Sequence, residues 1–340
     1  MKKTKAIIIG DFGKDLDDEH TLVLAAGLIK SGHLDLLGVI ANLNPADERA
    51  QIARGTLKQL GLDNIPVGCG SNVSDTGSES YEFDISYMSK ENIESGDNLL
   101  LRLFNDAKEN SITLILQSAL TDVTNFLRAN ENLFIKKIKE VVIMGGVQTE
   151  ENEILKTGNF IQPDSSNNIT FDWANGCFLY AKLQELKVPM VILTRHAAYS
   201  AQIPFSVYDK MEATGNIIGI ELKARQSKSL ESLFDAACSE EGSSIRGTLP
   251  PRCNKQWFID TFLEGEWTDS FQVPKVINYY DPMNLIAGIQ SLREEFFKPV
   301  VSNVLGQNHL IIGVSLKRNN IKNPSKLVDF IVDTEVDGLL

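Results

Sequence analysis

Residues 10–19 read GDFGKDLDDE, so Asp11, Asp15, Asp17 and Asp18 crowd four carboxylates into eight positions. They lie between an apolar run, AIIIG, and a helical pattern, HTLVLAAGLI. Like charges at this spacing raise one another's pKa unless a cation or hydrogen-bond donors hold them. Hard oxygen donors of this kind suit Ca2+ or Mg2+, and no His or Cys cluster points to zinc. The spacing is not that of an EF-hand loop, which needs a Gly at its sixth position and a Glu at its twelfth. For any one of these aspartates, solvation or N-capping of the following helix is the plain alternative. For four together directly after a strand, metal binding outweighs it.

Other polar residues gather where strands are expected to end. Asn42 and Asn44 follow LDLLGVIA, Gln117 to Thr121 close SITLILQ, Gly145 and Gly146 close VVIMGG, and Tyr280 and Asp281 close VINYYDP. Open α/β sheets place their ligand crevice at the carboxyl ends of strands, so one site assembled from five strand ends is the economical reading.

The elements that must position these residues follow from hydrophobic period and turn signals. A strand (Lys5 to Ile9), a helix (Asp18 to Lys30) and a second strand (Leu34 to Ala41) make a βαβ beginning. Ala50, Ile52, Ala53, Leu57 and Leu60 recur near helical spacing up to Gly61, and IPVGCG follows as a third strand. Ser71 to Ser95 reads as a long polar loop carrying Tyr81, Phe83 and Tyr87. A helix (Asp97 to Glu109), strand (Ser111 to Gln117), helix (Asp122 to Asn130), strand (Val141 to Gly146), helix (Trp173 to Glu185) and strand (Pro189 to Thr194) continue the alternation. The expected fold is an α/β open, mostly parallel sheet flanked by helices, formed by residues 1–340 as one domain. Residues 204–264 turn helical and loop-rich, as a helical insertion or cap within it.

Composition narrows the partners. The 340 residues are 43% hydrophobic and carry a net charge of -12 spread along the chain, which excludes the clustered Lys and Arg of a duplex nucleic-acid footprint. No apolar run reaches membrane-spanning length, and the apolar start before Gly10 is too short for a signal-peptide core, so no membrane partner and a cytoplasmic location are expected. Cys69, Cys177, Cys238 and Cys253 stand far apart without a CxxC pair and read as reduced thiols. Partners are small molecules.

The acidic segment is similar to the later part of the nucleoside hydrolase signature, whose longer form runs Asp, any, Asp, any, Gly, any, Asp, any, Asp, Asp. Laid without gaps, Asp11 falls on the second Asp, Gly13 on the Gly, Asp15 on the third Asp, and Asp17 and Asp18 on the final pair, while Ile9 replaces the first. LQSALTDVTNFL resembles the family's LGPLTNIA segment, VVIMGG its Met-Gly-Gly strand end, NNITFDWANG its Asn-Ile segment with Asp172 at the following Asp, and YYDPM its HDP segment. Order and spacing agree from Lys5 to Ile289.

The resemblance implies Ca2+-dependent hydrolysis of the N-glycosidic bond of a ribonucleoside or related N-riboside, with inversion, by a homo-oligomer. It implies Asp11, Asp18, Asp281 and the Thr121 carbonyl as calcium ligands, with Asp11 also the general base. Asp17, Asn44, Asn159 and Asn168 are then ribose contacts, with Asn42 a rival to Asn44 and Asp15 a supporting residue. Three departures matter. Ile9 breaks the signature's first position, Ser166 stands where a ribose-binding Glu is usual, making room for a phosphorylated or otherwise substituted ribose, and Tyr280 replaces the His of HDP. A tyrosine with its ordinary pKa near 10 is a poorer acid at neutral pH.

Help for the leaving group then falls to Tyr280, to His196 or to Trp257 with Gln256 and Arg252. Against these stand packing for Trp257, an orienting role for His196 and a solvated charge for Arg252. The contrasting expectation is a catalytically impaired nucleoside-hydrolase-like protein that binds ribose or nucleoside without turnover. A phosphohydrolase using Asp11 as nucleophile is disfavoured by Gly13 where a second carboxylate would be needed.

Overall fold

The β-branched run at the start of the chain becomes the strand β1 (Thr4–Gly10), and it is buried on both faces, as a central parallel strand must be. The computed structural model describes residues 3–13, 16–73, 83–247, 249–263, 265 and 271–340. Asp15, Tyr81 and Glu264 therefore lie outside the described residues. Around β1 the chain builds a nine-stranded sheet from β2 (Leu34–Ala41), β3 (Val67–Cys69), β4 (Ile93–Ser95), β5 (Ile112–Leu116), β6 (Ile138–Gly145), β7 (Met190–Thr194), β8 (Val300–Val304) and β9 (Gln307–Ile312). The order across the sheet is β8-β9-β7-β6-β5-β1-β2-β3-β4. All pairs are parallel except β8 with β9, an antiparallel hairpin at one edge.

From β1 the chain winds outward through β2, β3 and β4, then returns to the other side of β1 with β5 and winds the opposite way. Strand order thus reverses between β1 and β5, which opens a crevice at their carboxyl ends. The registers Ile9 to Leu116 and Gly10 to Ala41 bring Asp11, Gln117 and Asn42 to that edge together.

The pleat divides the core in two. Ala6 and Ile8 face a layer containing α1 (Asp17–Lys30), α2 (Ala46–Gln59) and later helices, whereas Ile7 and Ile9 face α3 (Gly96–Asp106), α4 (Thr121–Ala129) and neighbours. The strand β4 lies at the end of the segment read as loop; three residues carry too little alternation to announce a strand. Between residues 204 and 264 lie α9 (Val207–Ala213), α10 (Ile217–Cys238) and α11 (Lys255–Phe262), following α5 (Glu131–Lys137), α6 (Asn167–Thr170), α7 (Trp173–Glu185) and α8 (Arg195–Tyr199). Then come α12 (Asp281–Gly288), α13 (Gln290–Phe296) and α14 (Pro324–Leu339). No helix among the described residues is long and apolar enough to cross a membrane.

Candidate active site

Asp17 and Asp18 open the first turn of α1, where the partial positive charge of the helix N-terminus favours carboxylates. Asp281 opens α12, and oxygens of Asp17, Asp18 and Asp281 lie within 4.8 Å of one another, all three residues buried. The Asp17 Oδ2 accepts the backbone N–H groups of Tyr280 and Asp281, each at 3.2 Å, so the same carboxylate also fixes the start of α12. Gly10 makes this packing feasible, because a Cβ there would fall on Asp18 Oδ1 and press on the Phe12 ring. Three carboxylates sharing so small a buried volume are oxygen donors of the kind a hard divalent cation takes. Asp11, at the end of β1 and only 5% exposed, is not part of this group.

Buried cations hold the surrounding backbone. Arg49 on α2 donates to the carbonyls of Asp11 (3.2 Å), Phe12 (3.1 Å) and Asn44 (3.1 Å), tying the loops after β1 and β2 together. Glu19, next to the carboxylate group, pairs with Arg225 of α10 at 2.6 Å and accepts from the Tyr87 hydroxyl at 2.9 Å. His20 lies 3.0 Å from Glu335 of α14 and 2.7 Å from the Tyr279 hydroxyl. Helix α1 therefore grips the segment leading into Asp281 through both Asp17 and His20.

At the β5 end, Gln117 donates to the Asp281 carbonyl at 2.6 Å, and Asn168 Nδ2 donates to the carbonyls of Gln117 (2.9 Å) and Met144 (3.1 Å). Thr121 begins α4, and its hydroxyl donates to Asp172 at 2.6 Å. Burial pushes the Asp172 carboxyl up, but hydrogen bonds from Thr121 and Asn175 outweigh it, so its pKa falls below the usual value.

The comparison with known proteins bears on this edge of the sheet. The profile of the inosine-uridine preferring nucleoside hydrolase family matches residues 7–176, from β1 into α7. The chain belongs to that family. No curated protein matches it by sequence. Its fold resembles that of the type III effector XopQ, solved with adenosine diphosphate ribose (22% identity, 99% of this chain and 94% of that one, TM-score 0.80). It also resembles a purine-preferring ribonucleoside hydrolase from Gardnerella vaginalis (14% identity, 99% of each chain, TM-score 0.65) and an inosine-uridine preferring nucleoside hydrolase from Bacillus anthracis (13%, 98% and 99%, TM-score 0.59).

As a nucleoside hydrolase relative, the chain brings some of its expected site residues together. Asp17, Asp18 and Asp281 converge, with Asn168 hydrogen-bonded across the adjoining strand ends and Thr121 at the first position of α4. Asn159 instead sits exposed at the tip of a short hairpin between Thr157 and Phe160. Asn44 is exposed, while Asn42 is fully buried and donates to Ala119 O (2.9 Å) and Asp122 (2.7 Å). Burial raises the Asp122 pKa against these and the Ser71 hydrogen bonds.

On the proposed leaving-group side, Tyr280 packs edge-on to Tyr199 (6.2 Å), which packs edge-on to His196 (6.4 Å). Trp257 packs on Phe262 (5.5 Å) and Phe258 (6.5 Å) within α11. Arg49, Arg225 and Tyr199 are parts of the site's framework that pattern reading passed over, since a lone Arg or Tyr on a helix carries no local mark of a distant partner.

Proposed function

We propose that the protein hydrolyses the N-glycosidic bond of a ribonucleoside or related N-riboside in a Ca2+-dependent reaction, releasing base and ribose. The observation that carries this reading is the buried convergence of Asp17, Asp18 and Asp281 at the strand-order reversal of a nucleoside hydrolase family member. Asp18, Asp281, Asp11 and the Thr121 carbonyl would hold the ion, with Asp17 contributing from its place in the same group. A bound Ca2+ supplies Lewis acidity and a template for a water and a vicinal diol at that point.

Asp11 takes the proton of the attacking water as general base. The crowded carboxylates stabilise the positive charge that develops on the sugar in an oxocarbenium-like transition state. The Asn168 amide is fixed by the two strand-end carbonyls it donates to, so its oxygen is the atom aimed at a ribose hydroxyl. Tyr280 stands at the mouth of α12 to give a proton to the departing base, with Tyr199 bracing its ring.

A second reading is favoured by Tyr280 and Ser166 standing where the family's His and Glu are usual: a protein that binds nucleosides or substituted ribosides, of which adenosine diphosphate ribose is one seen in a fold neighbour, without cleaving them. One experiment separates the two. A panel of nucleosides, their 5′-monophosphates and nicotinamide riboside is incubated with the protein and Ca2+, and free base is read by chromatography. Base release that a chelator and Asp11→Ala both abolish supports hydrolysis. Riboside binding with no release across the panel overturns it in favour of the second reading.

A further inference from the structure

Two strands away from β1 along the same carboxyl edge lies a cavity of about 420 Å3, lined by residues following β6 and β7, among them Gln148, Asp164, Ser165, Trp173, Arg195 and His196. It is of the size that ligand groups occupy and larger than a hydroxymethyl arm needs. We propose that this cavity is a second subsite, which receives a phosphoryl group carried on ribose C5′, with Arg195 as its anion contact. The proposal rests on reading the carboxylate group as the seat of the ribose diol.

Hydrogen bonds at successive strand ends run from that seat toward the cavity. Gln117 touches the Asp281 carbonyl, Asn168 spans Gln117 and Met144, and Asp164 N–H reaches the Gly146 carbonyl at 3.4 Å. Neighbouring strand ends stand about 5 Å apart, so the β5 and β7 ends are separated by about 10 Å, the scale of a ribose with its 5′ phosphoryl. Beside Asp164, at the start of α6, stands Ser166, where a nucleoside hydrolase usually has Glu; a serine takes less room and adds no second carboxylate to that of Asp164.

The cavity wall is built rather than incidental. Asp164 is held by the Ser166 N–H at 2.9 Å and lies where any Cβ on Gly146 would collide with it, so only glycine admits it. It stands 3.6 Å from one nitrogen of the Arg195 guanidinium, beyond hydrogen-bond distance, and both side chains remain partly exposed. Such a pair orients the guanidinium while leaving its planar fork for phosphate oxygens. His196, expected from the sequence on the leaving-group side, lines this cavity and is assigned to it here instead; its Nδ1 is buried without a hydrogen-bond partner among the described residues. Burial and then the adjacent Arg195 lower the His196 pKa, so the ring is neutral at pH 7 and presents a donor or acceptor rather than a charge. Trp173, 46% exposed, adds a flat apolar wall.

The test uses the full chain with Ca2+ present and compares ribose 5-phosphate with ribose by calorimetry. Ribose 5-phosphate is expected to bind at least about tenfold more tightly. Arg195→Met is expected to erase that difference while leaving ribose affinity unchanged, and Arg195→Lys to restore part of it. Equal affinity for the two probes, no binding of ribose 5-phosphate, or an Arg195→Met variant that keeps the preference or weakens both probes alike would each overturn the proposal. Failure of the underlying reading looks different: Asp281→Asn would then leave binding of both probes intact. Absence of base release in the riboside panel does not touch this ratio.

Discussion

The first turn of α1 makes two kinds of buried contact within four residues. Asp17 and Asp18 meet another carboxylate, Asp281, whereas Glu19 meets Arg225 at 2.6 Å and His20 meets Glu335 at 3.0 Å. The second pair of contacts joins α1 to α10 and α14 and behaves as framework: opposite or complementary groups, buried together, each answering the other. The first gathers like charges, of which Asp17 also fixes the start of α12 through the Tyr280 and Asp281 N–H groups, and its oxygens are donors of the kind a hard cation takes. Neighbouring residues on one helix turn thus divide between complementary buried pairs and a cluster of like charges.

The largest effect that sharpens this contrast falls on the like-charged group. Asp18→Asn and Asp281→Asn should each cut base release by about three orders of magnitude or more, a loss of several kcal/mol of transition-state stabilisation. Added Ca2+ should raise the melting temperature of the unmodified protein, as a ligand of the native state must, and neither variant should respond. A full Ca2+ response in both variants would break the distinction. Arg225→Leu should do the reverse. Leaving Glu19 buried without its cation should cost about 3–5 kcal/mol in denaturant unfolding, while the Ca2+-induced rise persists; adding Glu19→Leu should recover much of the loss.

Gly10→Ala tests the boundary between the two groups. The new methyl displaces Asp18 and the Phe12 ring, so a stability loss of about 1–3 kcal/mol is expected together with weaker Ca2+ binding in a titration. An unchanged Ca2+ affinity would show that Asp18 has room to move. The smallest effect concerns a buried group far from both. Burial, with Lys156 adding to it, pushes His309 down to about 4. The unfolded chain takes up a proton near pH 6.5 that the folded protein refuses. Stability from this residue is therefore complete above about pH 6.5 and declines as pH falls toward about 4. His309→Asn should flatten that slope in unfolding experiments at successive pH values, without altering the Ca2+ response.

Much of this was legible along the chain. The apolar run before Asp11, the helical period after Asp18 and the strand-helix alternation to Thr194 are local patterns, and they place the sheet and its polar edge. The acidic segment identified the family because its spacing lies within one loop. Less legible was which carboxylates converge: Asp17, Asp18 and Asp281 form one buried group that does not include Asp11, and spacing within the loop does not announce the distant Asp281. Spacing ranks Asn44 only slightly above Asn42, because both lie past the end of β2, where strand alternation no longer sorts buried from exposed positions. The short β4 and the partner of Arg225 were equally hidden, the first for lack of period and the second because Glu19 lies 206 residues away.

Sequence by itself determined the fold class and the family, since hydrophobic period and carboxylate spacing act over a few residues. Tertiary structure alone decided which carboxylates meet, that Arg225 pairs with Glu19 and Glu335 with His20, and that Asp164, Arg195 and His196 share a cavity. The physical reason is the strand-order reversal beside β1, which brings segments remote in the chain to one edge, where distance and burial rather than sequence neighbours set what each side chain can do.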